Sequence, residues 1–388
     1  MRILQVIPHY IPAYRFGGPL RMAHALSKAL VQLGHSVYVC TTNLKDRRED
    51  VFGPTGGTAM VDGIEIFYEP VLLSRYWGFS PAMVRRLWSE VARADVVLIH
   101  FHYQFASLAG AWISRWHKKP YVIFTHGSLN YYGLRARKAI FKKAYLYFLE
   151  RNNFHQALFS AYHSPEEMET SVRFGRCQVV PNGIDPQEFA DSPPRDYFRS
   201  QYTELTDRLI FLFLGRLDAG KGLDLLLPAF KRLAAAHPEV HLVLAGGDER
   251  GYLVRVNSMV TEFELASKVT LTGLISGVDK LAAFQDADVF VLPSRSEGLS
   301  MAMLEAMYMG LPVVVTDRVG LWRQVEKNPC GLVVPYDEDS LAGALEQMAI
   351  APDRREMGQR GRQLVAAGYT WDKIARQLVA EIEGALSV

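Results

Sequence analysis

Two carboxylates, Glu297 and Glu305, stand with seven residues between them in the run Pro293-Ser294-Arg295-Ser296-Glu297-Gly298-Leu299-Ser300-Met301-Ala302-Met303-Leu304-Glu305-Ala306. The apolar stretch Val289–Leu292 reads as a buried strand ending in this polar turn, and Leu299–Met309 as an apolar helix beyond it. The free N–H groups of Gly298, Leu299 and Ser300 would then open a helix just past a strand's carboxyl end, where open α/β sheets bind anions. Gly298 permits a phosphate to approach the backbone closely. Glu305 sits within an apolar helix, where a carboxylate is costly unless it meets a partner such as sugar hydroxyls. A solvated Glu297 and a Glu305 in a structural ion pair are the alternative reading.

A second constellation is Gly215-Arg216-Leu217-Asp218-Ala219-Gly220-Lys221-Gly222, which spells Gly-x4-Gly-Lys. A nucleotide-hydrolysing P-loop needs Ser or Thr next to hold magnesium, and Gly222 stands there instead. Cationic phosphate binding survives: Arg216 offers a planar fork and Lys221 a mobile point charge. His126 follows the expected strand Tyr121–Thr125 and precedes Gly127, a position that faces the ligand side of such a sheet. His9, His100 and His102 also follow strands, and read as acceptor-pocket or surface-loop residues. Asp286-Ala287-Asp288 has the look of a metal-binding Asp-x-Asp, but it precedes a strand at its amino end, so a helix end and turn is the better reading. No other His/Asp/Glu cluster has metal spacing, and no essential metal is expected. Cys40, Cys177 and Cys330 are odd in number and far apart, which excludes a disulfide framework.

These groups need two scaffolds. Strands are expected at Arg2–Pro8, Ser36–Thr42, Val96–Phe101 and Tyr121–Thr125, and again at Leu209–Leu214, Val240–Ala245, Val269–Leu271, Val289–Leu292 and Pro312–Thr316. Helices over about 20–33 and 223–236 follow the first strand of each set. Alternation of this kind gives parallel sheets and two doubly wound α/β domains. With 388 residues, the expected division is 1–190, 205–370 and a last helix over 371–388. The polar, Pro-rich run near 191–196 supplies the break, and 45–60 reads as a mobile surface excursion. Neither half carries Gly-x-Gly-x-x-Gly, which disfavours a dinucleotide oxidoreductase. Residues 1–190 hold 22 Lys+Arg against 14 Asp+Glu, and 191–388 hold 21 against 27, so the halves meet different partners. Nucleic acid is not expected, since no reading motif is present. No targeting segment or spanning apolar stretch is evident, so the expected location is the cytoplasm, with a peripheral position on the inner membrane face as a variant. The basic, aromatic stretch 134–148 suits such a surface, or equally a solvated helix face.

The spacing Glu297-x7-Glu305, in its Ser-Glu-Gly-Leu-Ser context, resembles the signature of retaining GT-B glycosyltransferases of family 4 (glycosyl transferases group 1). The Gly17-Gly18 loop, Thr125-His126-Gly127, Val180-Pro181-Asn182-Gly183-Ile184-Asp185, Gly215-Arg216 with Lys221-Gly222, Gly246-Gly247-Asp248 and Gly310-Leu311-Pro312 fall in the matching order. The resemblance implies two Rossmann-like domains facing across a cleft, with the C-terminal helix crossing back to the N-terminal one. It implies sugar transfer from a UDP- or GDP-sugar, bound as substrate with no cofactor, to a glycan or lipid-linked acceptor in cell-envelope or exopolysaccharide biosynthesis. Arg216 and Lys221 would hold the diphosphate, Gly17 and Gly18 would cap it, and Glu305 would grip the ribose. Glu297 and His126 would serve the transferred sugar, Gly215 and Asp248 would line the donor site, and Leu274 would contact the base. A sugar-nucleotide epimerase and a non-catalytic nucleotide-sugar-binding protein are the rival readings. One departure is Arg318-Val319-Gly320-Leu321-Trp322, where many members carry a Gly-Gly near the phosphates.

Overall fold

The computed structural model describes residues 1–387 except 47–49, 52, 74–75, 132–138 and 249–250. It divides into two units, Met1–Gly183 with Trp371–Val388, and Ile184–Thr370.

The first unit is built on eight strands: β1 (Arg2–Val6), β2 (Ser36–Thr42), β3 (Gly57–Val61), β4 (Ile64–Glu69), β5 (Val96–His100), β6 (Tyr121–Phe124), β7 (Phe159–Tyr162) and β8 (Cys177–Val179). Their order is β3-β4-β2-β1-β5-β6-β7-β8. Only β3 is antiparallel to its neighbour. The central strands are apolar on both faces because helices cover both. On one face Ile3, Val37, Val96 and Leu98 pack with the helices Gly18–Gln32 and Trp371–Leu386. On the other, Leu4, Val6, Val97 and Ile99 pack with Met83, Leu87, Phe105, Ile113 and Phe154. The last helix thus buries Trp371, Ile374, Leu378 and Ile382 in the first unit's core.

Part of the segment 45–60, expected as a mobile excursion, is structured: β3 pairs with β4 as an edge hairpin. The turn is Asp62-Gly63, with φ of 51° and 76°. Two successive positive φ values suit a tight hairpin, and Asp-Gly adopts them readily.

The second unit has a parallel six-stranded sheet in the order β11-β10-β9-β12-β13-β14, namely Val269–Gly273, Val240–Ala245, Leu209–Leu214, Val289–Leu292, Val313–Thr316 and Gly331–Val334. The division between units falls after Gly183, earlier than the expected break between 190 and 205, because Ile184 and Phe189 are buried in this second core. The run 191–196 is therefore inside the unit. Asp286 anchors the chain at the end of that run, accepting hydrogen bonds from the backbone N–H groups of Asp196, Phe198 and Arg199 at 2.7, 2.8 and 3.1 Å. Asp288 accepts one from Ile210 at 2.8 Å. The Asp-x-Asp is structural.

Candidate donor and acceptor sites

In the second unit the chemistry-bearing loops follow the carboxyl ends of β9, β10 and β12. A short 3-10 turn, Ala219–Lys221, carries Lys221 and is fixed by Asp218, which accepts from the Gly220 N–H at 2.8 Å. Gly222 follows with φ 73°, and a Cβ there would stand 1.9 Å from the Pro293 carbonyl oxygen. This close approach brings the Lys221 turn against the loop after β12, where the Arg295 N–H donates to the Gly220 carbonyl at 2.8 Å. It also explains why the P-loop Ser/Thr is missing: no side chain fits. Gly222→Ser should therefore destabilise the second unit by about 2–4 kcal/mol, through overpacking and left-handed strain. A thermal midpoint unchanged in calorimetry would refute that packing argument.

Lys221 forms an ion pair with Glu297, both side chains being largely buried. The Glu297 backbone is clamped, its N–H donating to the Arg318 carbonyl at 3.0 Å and its own carbonyl accepting from Gly320 at 2.8 Å. The segment that departs from the family pattern thus holds the Glu297 loop. The apolar helix begins later than expected, at Met301 rather than Leu299. Ser300 is its N-cap, and the Ser300 hydroxyl accepts from the Met303 N–H at 3.3 Å. Gly298 and Leu299 belong to the approach loop, and the helix-end N–H groups are those of Met301 and Ala302.

Glu305, about one turn into that helix, pairs with Lys280 at 2.9 Å. This is the structural ion-pair alternative realised, and Lys280 is a residue that sequence reasoning missed. Arg216 is half exposed and 3.5 Å from Asp218. Gly215 lies beside the Lys221 stem, and Gly246 is so close that a Cβ would meet the Gly215 carbonyl oxygen at 1.7 Å. Asp248 accepts from the Tyr252 N–H at 2.8 Å, just before the helix that starts at Leu253, and Leu274 is 81% exposed. Two further cations have no sequence signal of their own: Arg295, paired with Asp224, and Arg318 both lie over the Tyr336 ring, at 5.2 and 4.8 Å.

In the first unit, Gly17 takes φ 99° and opens the helix that starts at Gly18. His9 stacks on Phe16 with ring centroids 3.5 Å apart, and burial pushes its imidazole down to about 4. His126 lies at the centre of a histidine chain. Its Nε2 is 3.0 Å from His100 Nδ1, and its Nδ1 is 3.0 Å from His163 Nε2. The far ends meet the Val180 carbonyl at 3.2 Å and the Gln5 side-chain oxygen at 2.9 Å. The outer links fix two donors: His163 Nδ1–H donates to the Val180 carbonyl and His100 Nε2–H to the Gln5 carboxamide oxygen. The Gln5 amide nitrogen in turn donates to the Ser27 hydroxyl at 2.8 Å, and that hydroxyl to the Ala23 carbonyl at 2.8 Å.

A cationic imidazole is disfavoured there. Burial holds His100 at about 3, and burial with the adjoining imidazoles of His163, His100 and His102 keeps His126 well below its ordinary range. Both His126 nitrogens are engaged, so neither reaches a substrate unless a link opens. The loop is buttressed by Glu167, which accepts from the Gly127 N–H at 2.7 Å, the Thr125 hydroxyl at 3.1 Å and the His163 N–H at 2.7 Å. These bonds hold His126 and Gly127 at φ 48° and 72°. His102 stands apart from the chain: it is buried and bonded to the Ser128 hydroxyl at 3.0 Å. Glu167 and His163 escape sequence reasoning, although both follow β7. Among the described residues no group of three or more His, Cys, Asp or Glu is placed to hold a metal ion.

A family model described as Glycosyltransferase Family 4 matches residues 16–188, and one described as Glycosyl transferases group 1 matches 194–364. An uncharacterized glycosyltransferase of Methanocaldococcus jannaschii is 26% identical, over 98% of this chain and 97% of its own length. A GDP-mannose-dependent phosphatidylinositol monomannoside mannosyltransferase of Mycobacterium tuberculosis is 32% identical over 53% of this chain, which spans only 56% of that relative. Among solved structures, sucrose-phosphate synthase of Thermosynechococcus elongatus superposes with a TM-score of 0.76 at 22% identity, covering 100% of this chain and 99% of that one. The Anabaena protein HepE, solved with UDP and glucose, superposes with a TM-score of 0.72 at 18% identity, covering 99% and 100%. The chain belongs to the family 4 glycosyltransferases and has their GT-B fold.

Proposed function

We propose that this protein is a retaining, metal-independent hexosyltransferase that moves a sugar from a UDP- or GDP-sugar to a glycan or lipid-linked acceptor in envelope or exopolysaccharide synthesis. The observation that carries the reading is the Lys221–Glu297 pair at the carboxyl end of the second sheet. In the absence of donor the carboxylate neutralises the ammonium. An arriving diphosphate displaces it, and Glu297 is released toward the sugar ring. Arg216 and the N–H groups that open the helix at Met301 supply the remaining stabilisation of the departing diphosphate, and preorganised donors of this kind contribute about 3–4 kcal/mol each.

Relatives named for phosphatidylinositol acceptors, in Mycobacterium tuberculosis and Arabidopsis thaliana, support a lipid-linked acceptor. The aromatic, basic segment 134–148 is in keeping with one, though 134–138 lie outside the described residues. No described helix is long and apolar enough to cross a membrane, so contact would be peripheral.

The test is a panel of UDP- and GDP-hexoses incubated with lipid and glycan extracts, with products read by mass spectrometry. Release of free nucleoside diphosphate only when acceptor is present supports transfer. Epimerised donor without transfer overturns it, and so does binding without turnover. Activity undiminished by EDTA is expected, and loss of activity restored by a divalent cation would refute metal independence. Glu305→Ala should weaken nucleoside-diphosphate affinity on the order of 10-fold or more in calorimetry, the value of hydrogen bonds from a charged acceptor. Intact affinity would leave Glu305 as a structural partner of Lys280 alone.

A further inference from the structure

One face of the first unit is covered by three neighbouring helical segments, Pro81–Arg93, Phe105–Trp116 and the stretch 139–156. Their outward surfaces are unusually apolar. Trp112 is 50% exposed, Trp116 64%, Ile140 82%, Phe141 77% and Phe148 79%. The indoles adjoin one another, with ring centroids 5.8 Å apart for Trp88–Trp116 and 6.3 Å for Trp112–Trp116. The segments are stitched together by Arg115, which donates to the Asn153 side chain at 3.1 Å. Exposed patches of this extent mark an interaction surface.

The charge pattern says with what. The three segments contain only two acidic residues, Glu90 and Glu150, and both are buried. Glu90 is spent on Arg2 at 2.8 Å, and Glu150 accepts from the Asn153 amide at 2.9 Å. Among the described residues of the three segments the exposed charged side chains are cationic, Arg85, Arg93 and Lys143 among them; the exposed Lys118 follows the second segment and the exposed Asp95 the first. A depression of about 710 Å³ beside Trp112 and Trp116 is lined by Arg115, Lys118 and Lys119, with no acidic side chain among the described residues of its wall. Indoles belong at the level of lipid headgroups, and cations of this density are drawn to anionic lipid.

We infer that this three-helix face docks on an anionic phospholipid bilayer. The inference rests on the lipid-linked acceptor proposed above and gives it a surface, far broader than one helix. The indoles and the Ile140–Phe148 side chains enter the headgroup region, while the cations meet phosphates.

The experiment is sedimentation with phosphatidylcholine vesicles, with and without 30 mol% phosphatidylglycerol, in the absence of sugar nucleotide. Indole quenching by bilayer-brominated lipid is measured in the same wild-type samples. Binding is expected only to the anionic vesicles, weakened tenfold or more by 0.5 M salt, with indole quenching. Trp112→Ser/Trp116→Ser and Lys142→Glu/Lys143→Glu, each checked by thermal unfolding, should each weaken it on the order of tenfold. Any one of four results overturns the inference: no sedimentation, equal binding to neutral vesicles, folded variants that bind like the wild type, or a concentration-dependent dimer that the same substitutions abolish. UDP and GDP binding by the same preparations tests the donor assignment separately, so the two readings fail independently.

Discussion

Glu297→Gln should bind UDP or GDP more tightly than the wild type and yet transfer sugar on the order of 10²–10³-fold more slowly. The two effects have one cause. Lys221 is held by the Glu297 carboxylate, and a diphosphate must break that pair before it gains the ammonium. The amide removes the competition, which for a partly buried pair is worth about 1 kcal/mol, or roughly fivefold in affinity. It also removes the negative charge that would face positive charge developing at the anomeric carbon, and that loss appears in kcat. Lys221→Met should behave oppositely in binding: a bare carboxylate is left facing the diphosphate, and affinity falls on the order of 10–100-fold. Calorimetry with the nucleoside diphosphate and single-turnover kinetics with the sugar nucleotide separate the two. Weaker binding by Glu297→Gln would mean that Lys221 does not serve the diphosphate. An unchanged turnover would leave Glu297 a structural counter-ion.

The same pair shows where sequence reasoning stops. Lys221 and Glu297 were each legible, because a Gly-rich strand–turn–helix junction and a strand end before an apolar helix are local patterns. Their contact was not, since nothing local to either run fixes a distance across 76 residues. Lys280 and Glu305 illustrate the same limit. An apolar helix with one carboxylate announces a buried partner without naming it, and Lys280 lies on an ordinary amphipathic helix. The start at Met301 has a local signal, since Ser300 is a good N-cap, but the apolar pattern extends back to Leu299 and draws the boundary with it. The Asp62-Gly63 hairpin carries a strong turn signal between apolar flanks, but the run Gly53-Pro54-Thr55-Gly56-Gly57 before it draws the loop reading over its first strand. Phe159–Tyr162 and Cys177–Val179 are too short for periodicity to reveal, and with them went His163 and Glu167, which hold the His126 loop in place.

The buried histidines should make the first unit acid-labile. Burial lowers His9 to about 4, and His100 and His102 to about 3, from an ordinary 6.5, and His126 moves in the same direction. Below pH 6.5 the unfolded chain takes up protons at these four sites that the folded chain refuses, so stability is complete above that pH and is lost as pH falls toward the folded values. Glu150 opposes them. Burial raises it from 4.5 to about 6, so between those values the folded chain holds a proton that the unfolded chain lacks. His9, His100 and His102 less Glu150 give a net uptake on unfolding near pH 5 of about two protons, or about 3 kcal/mol per pH unit, and His126, His24 and His35, which are lowered too, add to it, against a total stability of about 5–15 kcal/mol. Urea unfolding followed by tryptophan fluorescence, to which Trp77, Trp88, Trp112, Trp116 and Trp371 of this unit contribute, should therefore show a stability that falls steeply from about pH 6 to 4.5. His100→Asn should reduce the slope by about one proton, roughly 1.4 kcal/mol per unit. It should do so even where it lowers the stability at neutral pH, because the slope reports proton uptake and the intercept reports packing. A flat profile between about pH 6 and 4.5 would mean that these imidazoles already carry protons in the folded protein.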